Sequence, residues 1–288
     1  MTTIRNPIEW TYDQFREAGH AVEAAVRTVG RTRLEARPAA PPRLRKIEMH
    51  HLAEALRQGF NDFVACRDDV IYLCAIYPLA GLVLGHLMFG YALLPLIVPL
   101  ASGFALVGPM AAIGLYHLSH RREQGLSVKW SDAFGVLPPP GIGAILALGL
   151  MLLVLLRVWL LAAQTVYDST LGPLPPESLT RFAHDVFQTR AGWEMMIIGN
   201  GIGFLFALVA ASVGVIAFPL LVDRAVPLGL AIRTSLRAIA SNPVPMAAWG
   251  LIVAVGLVLG SIPLLLGLIV VMPVLGHATW HLYRKLVV

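Results

Sequence analysis

The chain has 288 residues, of which 57% are hydrophobic and 14% charged, with a mean hydropathy of +0.71. Soluble domains carry about 25% charged residues, so this composition excludes an ordinary water-soluble fold. The net charge of +5 does not indicate nucleic acid, because the cations lie beside apolar runs, where the excess of Lys and Arg in cytoplasmic loops accounts for them.

The apolar runs are about twenty residues long, which selects helices over the short alternating strands of a β-barrel. The expected fold is all-α: a polytopic membrane protein of six transmembrane helices, arranged as three hairpins, each preceded by a cytoplasmic amphipathic helix. Residues 1–46 form the first unit, an amphipathic helix followed by a linker rich in Pro and Arg. Asn6 suits an N-cap, Pro7 the first helical position and Glu9 a capping box, while Ile8, Tyr12, Phe15, Val22, Val26 and Val29 share one stripe. Pro38, Pro41 and Pro42 punctuate the linker. The segment before the first span is too charged for a signal peptide.

Residues 47–288 form the six-helix membrane domain with its inner-surface helices. An amphipathic helix over Glu48–Cys66 is expected to bury Leu52, Leu56, Phe60 and Phe63. The spans follow at about 70–89, 93–118, 142–166, 195–221, 246–260 and 264–282. The N-terminal segment, the 119–141 and 222–245 loops and the C-terminus carry Lys or Arg. The first and last outer connections carry none, and the middle one, residues 167–194, is net acidic. Cation counting therefore puts both termini in the cytoplasm.

A repeat underlies this order. Ala55-Leu56-Arg57 and Ala231-Ile232-Arg233 each precede the pentapeptide Gly-Leu-Val-Leu-Gly, at 81–85 and 256–260. A looser third copy begins at Trp130-Ser131-Asp132-Ala133-Phe134. Gly81 with Gly85, and Gly256 with Gly260, have the spacing that lets helix backbones approach closely, so packing is their expected role.

Two constellations could carry chemistry. Arg157 lies inside the third span, where a cation is costly and marks a functional candidate, with His86 and Asn200 among its candidate partners; the competing reading is an arginine snorkelling to the interface. His277 and His281 share one face of the last helix, and His117 and His120 end the second span at similar depth. Four imidazoles near one membrane face could ligate haem or a metal, although no Cys, Asp or Glu at ligand spacing joins them. The sequence Trp280-His281-Leu282-Tyr283-Arg284 reads more simply as an interfacial belt. Cys66 and Cys74 form no metal or redox motif. No catalytic residues are expected: there is no Walker loop, dinucleotide fingerprint, HExxH or Gly-x-Ser-x-Gly elbow.

Residues 101–109, Gly114-Leu115-Tyr116, Arg121-Arg122-Glu123, Asn242-Pro243-Val244-Pro245-Met246 and Gly276-His277-Ala278-Thr279-Trp280-His281-Leu282-Tyr283-Arg284 resemble a bacterial family of uncharacterised integral membrane proteins, catalogued as a domain of unknown function. Some members are labelled cytochrome c oxidase subunits. The resemblance implies an inner-membrane protein with lipid and other membrane subunits as partners, and no nucleic acid. Three functions are therefore weighed: a non-enzymatic accessory or assembly component of a membrane complex, a small-solute or ion transporter using Arg157, and a redox protein holding haem or metal at His277 and His281.

Overall fold

The computed structural model describes residues 42–74, 94–133, 139–172, 174–263 and 265–288. The N-terminal helix, its linker, and most of the first span with Gly81, Gly85 and His86 lie outside them. Every regular element among the described residues is helical: α1 Met49–Cys74, α2 Ile97–Ala111, α3 Ile113–Glu123, α4 Pro139–Thr170, α5 Leu179–Gln188, α6 Arg190–Gly214, α7 Ala217–Asp223, α8 Leu228–Ser241, α9 Pro243–Ser261 and α10 Leu268–Leu286. Among the described residues, three stretches are long and apolar enough to cross a membrane: Ile142–Thr170, Arg190–Asp223 and Pro243–Ser261.

The expected second span is two helical pieces that meet at Ala112. Pro109, three residues earlier, removes a backbone donor from the helical ladder and favours such a joint. The expected fourth span likewise divides, α6 ending at Gly214 and α7 resuming at Ala217. The acidic segment 167–194 contains a helix that its composition did not announce, α5, capped by Ser178 through Arg181 N–H at 3.1 Å. Its acids are matched locally: Asp185 with Arg181, and at the start of α6 Glu194 with Arg190.

The second amphipathic helix is present as α1, but its buried face is rotated from the expected one. Leu52, Ala55, Gly59, Asp62, Phe63 and Cys66 are buried, whereas Phe60 is 51% exposed. The reason is packing distance. α1 lies along α10 as the most extensive helix pair, and a methyl group built on Gly59 would stand 2.5 Å from the backbone of Ala278. Small residues therefore occupy the contact, and the large ones turn outward.

The first pentapeptide of the expected repeat, residues 81–85, lies outside the described residues, so the likeness is seen only between α1 and α8. Ala55 and Ala231 are both fully buried, in the second turn of α1 and the first of α8, while Arg57 and Arg233 face outward. At the expected third copy, Trp130–Ala133 is a single 3-10 turn. Asp132 accepts the backbone N–H of Lys129 at 2.9 Å, the reach-back bond of a capping box, and residues 134–138 beyond it lie outside the described ones. Gly256 and Gly260 pack on α10: Cβ atoms there would meet Leu275, Val271 and Leu268.

Four polar segments meet at one end of the molecule. Arg284 near the C-terminus reaches Glu123 after α3, Tyr283 reaches Asp223 after α7, and Lys285 reaches Glu54 of α1. The segment before α1 pairs with the C-terminus, with Arg45 N–H donating to Leu286 at 2.9 Å and Val288 N–H to Arg43 at 3.0 Å around the bridge of Leu44 and Val287. Asn242, at the corner between α8 and α9, accepts Ile47 N–H at 2.8 Å and donates to the carbonyl of Ala238 at 3.1 Å.

Candidate functional site

The densest polar cluster lies at that end, where α1, α3 and α10 converge. Their helical registers bring together Asp62 from α1, Ser119 from α3, and His277 with His281 from α10. Exposure falls to 7% at Asp62, 1% at Ser119 and 0% at His277. Polar groups so deeply buried are costly unless they are paired.

Asp62 is the hub. Its Oδ2 accepts from Ser119 Oγ at 2.7 Å and from His281 Nε2 at 2.8 Å. Its Oδ1 stands 3.2 Å from Arg122 Nη1, which also donates to the Asn61 carbonyl at 2.9 Å. Ser119 Oγ lies in turn 2.7 Å from His277 Nδ1. Burial alone would push the Asp62 carboxyl upward. The hydrogen bonds from His281 and Ser119 oppose it and hold Asp62 below its ordinary value.

A second knot sits beside the first. Asp223, at the end of α7, accepts from Tyr283 and from Arg224 Nε at 3.0 Å, with Arg284 Nη1 at 3.7 Å. Glu123 takes Arg284 Nε at 3.1 Å and Trp280 Nε1 at 3.3 Å. His120 stacks edge-on to Trp280 with ring centroids 5.0 Å apart, its Nδ1 3.6 Å from Asp223 and its Nε2 2.7 Å from Gln124. Trp280 and Tyr283 are thus fully buried. The interfacial belt read from the sequence is a helix–helix core instead, because α1, α3 and α7 enclose that turn of α10.

The expected histidine set does not assemble. His277 turns to Ser119, His281 to Asp62 and His120 to Asp223, and among the described residues no three His, Cys, Asp or Glu side chains form a group able to hold a metal ion. Among the described residues no cluster forms around Arg157 either. Arg157 is exposed on α4, Asn200 is exposed on α6 and donates to the Met196 carbonyl at 2.7 Å, and Gln164 donates to Asp168. At the opposite end a cleft is lined by Tyr167, Leu174, Glu177, Arg181 and Phe182. Its Arg181 is matched to Asp185.

Ser119, Arg122, Glu123 and Asp223 lie within one continuous stretch of the sequence, the one that holds α2 to α7. Residues 97–223 match the DUF2189 family model, a predicted integral membrane protein. The DUF2189 stretch supplies only half of the cluster. Asp62 comes from before it, and His277, His281, Tyr283 and Arg284 come from after it, so the site closes only when both flanks dock on α3 and α7. No curated protein and no solved structure matches the chain.

Sequence reading missed Asp62 because acids were sought inside the spans. The available signal was its register: Leu52, Ala55, Gly59 and Asp62 recur every three or four residues, which places an acid on the apolar stripe of α1.

Proposed function

We propose that this integral membrane protein is non-enzymatic and serves as an accessory or assembly component of a larger complex in the bacterial cytoplasmic membrane. The observation that carries the reading is the contrast between its polar and apolar groups. The motif residues Arg122, Glu123, His277, Trp280, His281, Tyr283 and Arg284 close on partners within the chain. The outward surfaces of α6 and α9, with Phe204, Leu205, Leu251, Val258 and Leu259, are exposed and apolar, suited to lipid and to neighbouring helices. A chain that fixes its own inner end and offers apolar helices sideways is built to stand among other subunits.

Six spans with both termini inside is the topology we infer. Its support is the meeting of all four cation-rich segments at one end, with the Tyr167–Glu194 segment joining α4 to α6 elsewhere. Transport through Arg157 has less support, since that side chain faces outward and Asn200 bonds its own helix.

The test is purification of the tagged full chain from native membranes in mild detergent, with mass spectrometry of co-eluting proteins. Stoichiometric recovery with one membrane complex is the expected result, and the oxidase named in labels of the resembling family is the first to look for. Recovery of the chain alone and monodisperse would overturn the accessory role. Unchanged oxidase assembly in a deletion strain would remove that particular partner.

A further inference from the structure

The hydrogen-bond geometry around Ser119 contains an unbalanced proton. A serine hydroxyl has one hydrogen, yet Oγ stands 2.7 Å from Asp62 Oδ2 and 2.7 Å from His277 Nδ1. Arg122 and His281 both face the Asp62 carboxyl, which favours its ionised form. An ionised carboxylate only accepts, so Ser119 donates to Asp62, and His277 must donate to Ser119 from Nδ1. A neutral imidazole protonated at Nδ1 has a bare Nε2. That atom is fully buried with no hydrogen-bond partner among the described residues, and the Leu115 backbone borders the ring. A buried acceptor left unpaired costs free energy.

We propose that Asp62, Ser119 and His277 form a single proton-binding site. One proton entering at Nε2 leaves Nε2–H directed at the Leu115 carbonyl. The Nδ1 hydrogen then passes to Ser119 Oγ, and the Ser119 hydrogen passes to Asp62 Oδ2. The product is a neutral carboxylic acid donating to Ser119, Ser119 donating to Nδ1, and a neutral Nε2–H imidazole. One proton is gained, the net charge rises by one, no heavy atom need move, and every hydrogen bond present before remains.

The charged and titratable groups that face the site are few. From α3 comes Arg122, from α10 His281, and from α1 Asp62 itself with the Asn61 carbonyl. Glu123, His120, Asp223 and Arg284 turn to one another in the second knot. His281 is the partly exposed member and connects the site to solvent. Occupancy discharges the carboxylate that ties α1 to α3 and α10, so protonation and the seating of α1 are linked. This inference stands independently of the accessory role.

The experiment is a pH titration of the full-length protein, ¹⁵N-labelled at histidine, in detergent micelles, with infrared spectra of the carboxyl band in parallel. His277 and Asp62 are assigned from His277→Asn and Asp62→Asn. At neutral pH the His277 ring is expected as the Nδ1–H tautomer. On acidification, Nε2–H should appear in the same transition that protonates Asp62. Ser119→Ala should separate the two, giving Nε2–H already at neutral pH and a carboxyl titration that leaves the ring unchanged; Ser119→Thr should restore the coupling. Finding Nε2–H in the wild type at neutral pH, or a carboxyl titration with an unmoved ring, would overturn the proposal. The wild-type titration decides even if neither Ser119 variant folds.

Discussion

Asp62 decides the behaviour of its end of the molecule, because three groups from two other helices, Ser119 and Arg122 of α3 and His281 of α10, converge on one buried carboxylate. Removing a buried acceptor leaves its donors unpaired, at a cost of about 1–3 kcal/mol. Asp62→Asn should therefore destabilise the fold by roughly that amount, read as the loss in unfolding free energy in a denaturant titration in mixed micelles; a change within about 0.5 kcal/mol would refute the hub role. The pH dependence follows in sign. The folded-state value of Asp62 is depressed, so its stabilising contribution is complete above the unfolded carboxyl value of about 3.9. It is lost as pH falls through the lower folded value. Stability attributable to Asp62 should be flat between about pH 5 and 7 and should decline below about pH 4. The Asn variant should lack that component of the acid transition. At the exposed end of the same helix, the Lys285 ammonium holds Glu54 below its ordinary value, but an exposed pair of this kind contributes little. Glu54→Gln should leave the midpoint nearly unchanged.

At the scale of the helix, the pairing of α1 with α10 depends on small residues. A methyl at Gly59 would meet Ala278 at 2.5 Å from its backbone nitrogen, and one at Gly276 would meet Leu115 at 2.5 Å. Gly59→Ala should cost about 1–3 kcal/mol by overpacking, whereas Gly250→Ala, with nothing within 4 Å, should be neutral or stabilising by up to about 1 kcal/mol. Thermal melts of the two variants side by side check this, and equal midpoints would sink it. The same contrast explains which parts of the fold were legible in the sequence. The apolar spans α4, α6 and α9 were readable because hydropathy measures the environment they occupy. The face of α1 was misread because hydropathy favours Phe60, while close backbone approach favours Ala55 and Gly59. The histidines were noticed, but their partners Ser119, Asp62 and Asp223 lie 158, 219 and more than a hundred residues away from them, a distance that no local pattern spans. The third copy of the repeat rests on sequence likeness alone, and residues 134–138, where it would continue, lie outside the described ones.

Across the whole molecule, the pairing of distant polar segments makes a topology that can be measured. Single cysteines placed at Ser127 and Ser241, in a background where Cys66 and Cys74 are replaced, should react with an impermeant reagent from the same side of sealed vesicles. A cysteine at Leu174, which is 79% exposed in the segment between α4 and α5, should react from the opposite side. Labelling of all three from one face would reject the six-span arrangement.

The strap formed by residues 43–45 against 286–288 has a consequence for the order of events in biogenesis. The first described helix and the last are each other's main neighbours, so α1 meets its mate only once α10 has been made. Until then the groove carrying Ala55, Gly59 and Asp62 lacks that cover, and contacts of such long sequence separation close late because the intervening loop must be ordered first. The fold is therefore completed by a ring-closing step between its first and last described helices.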